Sequence, residues 1–260
     1  MATYQRRRIG LDSPSQHFNL IYHEWLPDGA EPTGAPVICV HGLTRNGRDF
    51  DSLAVALADR GRRVICPDVA GRGESDWLND HAEYSNPHYG QHLMMMLGKL
   101  ELTQVDWIGT SMGGLIGMGI AALGPVPIQR LIINDVGPVV TASSLNRIGD
   151  YVGRDLFFQT VKDLEKYLRI IHAPFGNLSD SQWAHLAKHS SRPDGDGFRL
   201  AYDPAIAKAF EQKFEVDMEL WAIWDVIKSP TMVIRGAVSD LLTADVAREM
   251  TKRGPEAKLV

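Results

Sequence analysis

Apolar residues follow two alternating patterns along the middle of the chain. Four short continuous apolar runs predict buried strands: Val37–Val40, Val64–Cys66, Val105–Ile108 and Leu131–Ile133. Between them, three longer segments predict helices: Phe50–Asp59, His88–Leu100 and Met112–Leu123. Because strands alternate with helices, the pattern predicts a mostly parallel, doubly wound α/β sheet covered by helices on both faces.

The two ends of the chain extend this sheet. At the start, Tyr4–Leu11 and Phe18–Leu26 are separated by the turn-forming residues Asp12-Ser13-Pro14-Ser15, which predicts an antiparallel hairpin. At the end, Thr231–Ile234 predicts a strand, Thr243–Arg253 a helix, and Ala257–Val260 the start of one more strand.

The strand pattern is interrupted after Pro138. Three segments carry apolar or aromatic residues typical of helices, with no convincing strand among them: Val161–Ile171, Asp180–Ser190 and Asp217–Ile227. We therefore predict a core formed by residues 1–138 and 228–260, with a helical insertion over residues 139–227.

Composition and charge exclude several classes of protein. Of 260 residues, 44% are hydrophobic and 23% charged, which is typical of a globular domain rather than a disordered chain. The net charge of −5 gives no positive electrostatic potential that would attract nucleic acid, so we expect no nucleic-acid partner.

The sequence contains no targeting or membrane signal. The N-terminal MATYQRRRIG precedes no apolar signal segment, and Leu115–Leu123 is too short to span a membrane, so we expect a cytoplasmic protein without a membrane partner. Cys39 and Cys66 are too few for a disulfide framework and are expected to be buried thiols.

The sequence with the clearest chemical meaning is Gly109-Thr110-Ser111-Met112-Gly113, which lies between a predicted strand and a predicted helix. In this context G-x-S-x-G predicts a sharp turn that exposes the serine hydroxyl as a nucleophile. The glycines leave space where a Cβ would clash with the turn. The start of the helix directs unpaired N–H groups towards the place where an oxyanion would form.

A second turn lies at the same edge of the predicted sheet. The strand Val37–Val40 is followed by His41-Gly42-Leu43, and loops at the carboxyl ends of parallel strands share one crevice. We therefore expect the backbone N–H groups of Leu43 and Met112 to form an oxyanion hole. We expect the glycine-rich turn from Asp68 to Ser75 to have a structural role.

Four features of the sequence belong together: His41-Gly42, Asp68 with Gly71-Arg72-Gly73-Glu74-Ser75, the turn at Ser111 and the insertion after Pro138. In these features the chain resembles the α/β-hydrolase superfamily, specifically its single-chain members with a helical cap. The resemblance covers essentially the whole chain and implies a serine nucleophile, then an acid, then a histidine. It implies Asp240 as the acid. Asp135 is the alternative acid, and its other interpretation is an aspartate that fixes a loop.

The chain departs from this pattern in one respect, because no histidine follows His189. We expect the base to lie beyond Val260, in a turn such as Gly-x-Gly-His, and the 260-residue chain itself to be nearly inactive. The other explanation is a non-catalytic homologue. His41 is expected to shape the oxyanion loop rather than act as a base.

The resemblance implies a hydrolase of small carboxylic esters, with lactones and thioesters possible. The alternatives are a C–C bond hydrolase, a cofactor-free perhydrolase, or a small-molecule-binding homologue without activity. The residues expected to contact substrate are His41, Gly42, Arg45, Trp183 and Trp221.

We predict no cofactor, since the chain lacks a nucleotide-binding motif. We also predict no metal, since the pairs His88/His92 and His185/His189 lack the H-E-x-x-H glutamate. The oligomeric state stays open.

Overall fold

The computed structural model describes residues 2–260, except for the side chain of Pro174. A sheet of eight strands forms its centre, with the order β1-β2-β4-β3-β5-β6-β11-β12. The strands of this sheet are β1 (Thr3–Asp12), β2 (His17–Leu26), β3 (Val37–Val40), β4 (Val64–Pro67), β5 (Val105–Thr110), β6 (Ile128–Asn134), β11 (Thr231–Ile234) and β12 (Lys258–Leu259). Strands β1 and β2 form the predicted antiparallel hairpin, and β2 also pairs antiparallel with β4. The remaining strands of this sheet run parallel to one another: β4, β3, β5, β6, β11 and β12.

Alternate residues of the central strands supply two apolar faces. In β3, Ile38 and Val40 join the larger buried cluster, whereas Val37 and Cys39 join a smaller one with Trp25. Every residue of β3 and β4 is buried, which explains why these strands are continuous apolar runs rather than alternating ones. Both thiols are free and buried, as predicted.

Four α-helices belong to the segments that connect the sheet strands: α1 (Asp51–Ala58), α2 (Asn86–Lys99), α3 (Met112–Leu123) and α8 (Ala244–Met250). They correspond to the four helices that the apolar spacing predicted around the sheet. None of the helices within residues 2–260 has both the length and the apolar character needed to cross a membrane.

The segment from residue 139 to 227 lies between β6 and β11 and contains four more α-helices: α4 (Ala142–Gly149), α5 (Val161–Ile171), α6 (Asp180–Ser190) and α7 (Trp221–Trp224). Helix α6 begins with a capping box, in which Ser179 and Gln182 each bond the other's backbone N–H. The helix predicted over Asp217–Ile227 is a single turn in the structure. Short 3-10 helices cover Ala173–Phe175 and Pro204–Phe210 within this segment, and Gly47–Phe50 and His81–Glu83 elsewhere.

The expectation of no strand in this segment is wrong. Two antiparallel pairs are present: β7 (Val139–Val140) with β10 (Met218–Glu219), and β8 (Ser191–Asp194) with β9 (Gly197–Leu200). The second pair closes through a two-residue turn in which Gly195 has φ +58°. Glycine favours that backbone conformation, so the Asp-Gly-Asp-Gly sequence was a hairpin signal.

Residues 139–227 dock on the loops at the carboxyl edge of the sheet. The Gly73 N–H donates to the Ala201 carbonyl and the Asp203 N–H to the Gly71 carbonyl, each at 2.8 Å. The Asn46 side chain donates to the carbonyl of His189 at 2.7 Å. The loops that follow β3 and β4 therefore hold this segment at the edge where the candidate site lies.

Trp107 couples the sheet to α3. Its side chain is fully buried, and its indole N–H donates to the Gly113 carbonyl at 3.0 Å. We expect Trp107→Phe to lower the free energy of unfolding by about 1–3 kcal/mol, since it removes packed volume and a buried hydrogen bond. Urea denaturation measures this. Trp77→Phe is the matched control because Trp77 is exposed, and an equal loss in both variants would contradict the prediction.

Candidate functional site

Ser111 lies at a sharp turn between β5 and α3, with φ +51° and ψ −115°. This is a conformation that residues with a side chain rarely adopt. The turn is held by the Ser111 N–H, which donates to the Asn134 carbonyl at 3.0 Å, and by the Ser111 carbonyl, which accepts from Gly114 and Leu115. The structure therefore forms the predicted strand–turn–helix around this serine.

The two glycines of the motif are required by the packing. A Cβ on Gly109 would lie 2.2 Å from the Gly113 carbonyl oxygen, and a Cβ on Gly113 would lie 2.0 Å from the Val40 carbonyl oxygen. Each of these contacts is with backbone, which cannot move aside as a flexible side chain can. The same packing places the start of α3 directly against the end of β3.

The loop after β3 lies beside the serine. A Cβ built on Gly42 would be 3.7 Å from the Cβ of Ser111. Within residues 2–260, neither the N–H of Leu43 nor the N–H of Met112 has a hydrogen-bond acceptor. The structure thus has two unpaired backbone donors near Ser111, one in the loop after β3 and one at the start of α3. The oxyanion hole itself stays a prediction.

His41 holds the loop that carries Leu43. Its Nε2 accepts a hydrogen bond from the Val69 N–H at 2.9 Å, so the proton lies on Nδ1, which donates to the Gly42 carbonyl at 2.7 Å. This carbonyl belongs to the same peptide group as the Leu43 N–H, so the bond orients and polarises that donor. Both ring nitrogens are occupied and the side chain is buried, which leaves no ring atom for the predicted substrate contact.

Asp68 fixes the neighbouring loop after β4. Its carboxylate accepts from the N–H groups of Gly47 at 2.7 Å and Glu74 at 2.8 Å, and lies 3.4 Å from the His23 ring. Burial acts to raise the pKa of Asp68, but the contacts with His23 and the Glu74 N–H outweigh it, and the pKa is lowered. This agrees with the structural role expected for the 68–75 turn.

The two candidate acids lie in one loop system. Asp135, with φ +57°, accepts from the Gly236 N–H at 2.9 Å and from the Ser239 hydroxyl at 3.0 Å. It therefore holds the loop that carries Asp240, as the loop-fixing interpretation predicted. The Asp240 carboxylate is exposed and pairs with Arg147 of α4, with 3.0 Å between Nε and Oδ2.

The predicted substrate contacts differ in accessibility. Arg45 is buried, pairs with Asp49 and donates to the Ser190 hydroxyl at 2.7 Å, so its guanidinium ties the loop to residues 139–227. Trp183 is buried, and Trp221 is partly buried under the Arg253 guanidinium, 4.5 Å from its ring centre. Gly42 is the one that the structure places beside Ser111.

One group of potential metal ligands occurs among the described residues. Ligand atoms of Asp51, His185 and His189 lie within 4.8 Å of one another. The Asp51 carboxylate already binds the Arg48 guanidinium at 2.6 Å, and His185 Nε2 lies 3.0 Å from the Arg48 carbonyl. Arg48 thus occupies two of the three groups and brings a positive charge that opposes a bound cation.

Sequence reasoning missed the contacts of Arg72. The side chain of Arg72 is fully buried, and the residues on either side of it in the sequence, Gly71 and Gly73, have φ +79° and +56°. Its Nε donates to the Leu43 carbonyl at 2.9 Å. The glycine-rich turn was identified from the sequence, but nothing local to it indicates the loop that the arginine reaches.

The glycine requirement gives a first prediction for this site. Gly113→Ala should abolish the native geometry at Ser111, since the new Cβ would overlap the Val40 carbonyl. Gly119→Ala lies on the same helix with no atom within 4 Å of its Cβ, and should stabilise the protein by about 0.5–1 kcal/mol. Thermal unfolding and near-ultraviolet circular dichroism compare the two variants. Tolerance of both would refute the packing argument.

His41 gives a second prediction. Burial lowers the pKa of His41 to about 4, so the folded protein keeps the imidazole neutral while the unfolded chain takes up a proton near pH 6.5. Stability should therefore decrease as the pH falls from about 6.5 to 4. Nitrogen NMR should show a neutral Nδ1–H ring from pH 8 to 5, with His41→Gln identifying the signal. An Nε2–H ring, or titration near pH 6.5, would contradict the hydrogen bonds described.

Comparison with known proteins agrees with the fold described above. A family model described as alpha/beta hydrolase fold matches residues 35–152. The chain is 42% identical to the 3-hydroxybutyrate-oligomer hydrolase of Cupriavidus necator over 257 residues, covering 95% of this chain and 86% of that protein. It is 26% identical to esterase Rv0045c of Mycobacterium tuberculosis, covering 84% of this chain and 71% of that protein.

A solved structure shows the same fold. The crystal structure of an alpha/beta hydrolase from Novosphingobium aromaticivorans superposes with a TM-score of 0.86 and 34% identity, covering 100% of this chain and 90% of that one. The sheet order, the strained serine turn and these similarities agree, and the chain therefore belongs to the α/β-hydrolase family.

Proposed function

We propose that this protein hydrolyses small carboxylic esters through an acyl-enzyme formed on Ser111. The observation that carries the proposal is the strained serine beside two unpaired backbone N–H groups, those of Leu43 and Met112. A base takes the serine proton as the serine oxygen attacks an ester carbonyl, and these donors stabilise the tetrahedral oxyanion that forms. The C–O bond to the alcohol then breaks, and the alcohol leaves with the proton from the base. Water then hydrolyses the acyl-enzyme and restores the serine.

Asp240 is the proposed acid of the catalytic triad. It follows β11, at the same edge of the sheet as Ser111, and its loop is held by the two hydrogen bonds that Gly236 and Ser239 donate to Asp135. In this role Asp240 would orient a histidine and stabilise its charged form. Asp135 has both carboxylate oxygens engaged with the loop, which supports the choice of Asp240 over it.

The histidine that would act as the catalytic base and deprotonate Ser111 stays a prediction. Within residues 2–260, no side chain hydrogen-bonds to the Ser111 hydroxyl, and none of the nine histidines contacts it in this way. A protein in which a histidine reaches the Ser111 hydroxyl should therefore turn over esters about 10⁶-fold faster than the same protein with that histidine replaced by alanine, as measured by kcat for a p-nitrophenyl ester.

The substrate that we propose is a short linear ester of a hydroxy acid. The support is the 42% identity, over nearly the whole chain, to a protein named 3-hydroxybutyrate-oligomer hydrolase.

Residues 139–227 serve as a cap over the site in this proposal, since they are anchored at Arg45, Asn46 and the Gly71–Gly73 turn beside the serine loop. A cap of this kind favours small substrates over large polymers.

The decisive experiment uses the protein produced from its own gene. A fluorophosphonate probe should add once to the wild type and not to Ser111→Ala, as measured by intact mass spectrometry. Hydrolysis is then followed with a 3-hydroxybutyrate dimer, a p-nitrophenyl ester and a β-diketone. We expect turnover of the two esters; cleavage of the β-diketone alone would replace the proposal with C–C bond hydrolysis, and no labelling would leave a binding protein.

The acid is tested by a matched pair of variants. Asp240→Asn should lower kcat by about 10³–10⁴-fold while the protein stays folded, because an amide cannot stabilise a charged imidazole. Asp135→Asn should mainly lower thermal stability, through the loss of one accepted hydrogen bond. The reverse pattern, with kcat lost in Asp135→Asn and retained in Asp240→Asn, would assign the acid to Asp135.

A further inference from the structure

One buried arginine contacts both residues that carry the proposed oxyanion donors. Arg72 is 0% exposed, and its Nε donates to the Leu43 carbonyl at 2.9 Å. Its Nη1 donates to the Ala70 carbonyl at 2.8 Å, and its Nη2 lies 3.7 Å from the Met112 sulfur. A single rigid guanidinium thus contacts both Leu43, in the loop after β3, and Met112, the first residue of α3.

The charge of this guanidinium is not neutralised by a contacting carboxylate. Among residues 2–260, no acidic oxygen lies within 4.0 Å of Arg72. The group instead faces two aromatic rings, with 5.7 Å to the centre of Tyr84 and 4.6 Å to the centre of Tyr89. Burying a charge without a direct counter-ion is costly, although cation–π contacts offset part of the cost. A fully buried positive charge therefore remains near the two donors.

The arginine is held in place from the other side by residues 139–227. Its neighbours Gly71 and Gly73 pair with Asp203 and Ala201 through two backbone hydrogen bonds of 2.8 Å. The hydroxyl of Tyr84, whose ring faces Arg72, donates to the Asp203 carboxylate at 2.6 Å. The position of the guanidinium is therefore set by the docked segment as well as by the core.

We infer that Arg72 is a positioning residue for the oxyanion hole formed by Leu43 and Met112. This inference rests on the function proposed for Ser111. Arg72 does not touch the substrate, because its side chain has no exposed surface. It orients the Leu43 loop through its carbonyl and supports the start of α3 through Met112. Its positive charge favours the negative charge that develops on the oxyanion.

This role predicts a particular kinetic effect. An oxyanion exists only in the transition state and the tetrahedral intermediate, so displacing its donors lowers kcat and leaves substrate binding nearly unchanged. Loss of a whole donor costs about 10²–10³-fold in kcat, and a displaced donor costs less. A residue that only stabilised the fold would lower the melting temperature with no such separation of kcat from KM.

The test uses two variants in the protein produced from its own gene. Arg72→Met keeps an unbranched chain against the tyrosine rings and removes both the charge and the hydrogen bonds, whereas Arg72→Lys keeps the charge. We expect Arg72→Met to lower kcat about 10–100-fold for a p-nitrophenyl ester with KM changed less than about threefold. Arg72→Lys should recover part of this loss. The affinity for a trifluoromethyl ketone, which forms a tetrahedral adduct, should fall in parallel with kcat.

Arg62→Met is the matched control. Arg62 also donates to a backbone carbonyl, that of Ala35, and it pairs with Asp106 at the opposite end of β5 from Ser111. This variant should lose stability and keep its kcat. Melting temperatures of all variants are measured beside the kinetics.

The outcomes separate the inference from the proposed function. If the wild type neither labels at Ser111 nor turns over esters, the proposed function fails and the inference falls with it. If the wild type is active and both Arg72 variants, folded, retain kcat within twofold, only the inference is overturned. Equal losses of kcat in Arg62→Met and Arg72→Met would also overturn it, because the effect would then follow stability. A kcat loss confined to the Arg72 variants supports it.

Discussion

The unfavourable backbone conformation of Ser111 is the constraint on which the rest of the site depends. A residue with a side chain at φ +51° costs about 1–3 kcal/mol, so the surrounding structure must hold it. It is held by a hydrogen bond to the end of β6 and by the first turn of α3, and it requires glycine at positions 109 and 113. The close contact between α3 and the end of β3 then brings the Leu43 loop beside the serine.

Buried polar groups hold the loops around this serine. His41, Asp68 and Arg72 are buried at the carboxyl ends of β3 and β4, and each donates or accepts hydrogen bonds with backbone groups of neighbouring loops. Irregular loops cannot satisfy their own backbone groups as a sheet or helix does, so side chains must do it. The arrangement fixes the donors before substrate arrives, which is the condition for stabilising an oxyanion without reorganisation.

Residues 139–227 are attached to these same loops. The contacts at Arg45, Asn46 and the Gly71–Gly73 turn join this segment to the residues that surround Ser111. The geometry of the serine site and the docking of the segment are therefore linked through shared side chains. Two buried guanidinium groups, those of Arg45 and Arg72, lie at this junction.

The amino-acid sequence alone determined the strand–helix alternation, the N-terminal hairpin and the serine turn. These features depend on residues close together in the chain, through apolar periodicity and the steric freedom of glycine. For the same reason the glycines around Ser111 were interpreted correctly from five consecutive residues. The short strands β8 and β9 were missed because four residues carry too little periodicity to separate a strand from a loop.

Only the tertiary structure decided which side chains join the loops. Arg72 reaches Leu43 and Met112 across 29 and 40 residues, and Asp135 reaches Ser239 across 104. Arg45, expected to face the substrate, instead binds Ser190 across 145 residues. No local pattern encodes such contacts. They arise only when the parallel strands bring their carboxyl ends to one edge of the sheet, because buried polar groups of the loops there must find hydrogen-bond partners in other loops.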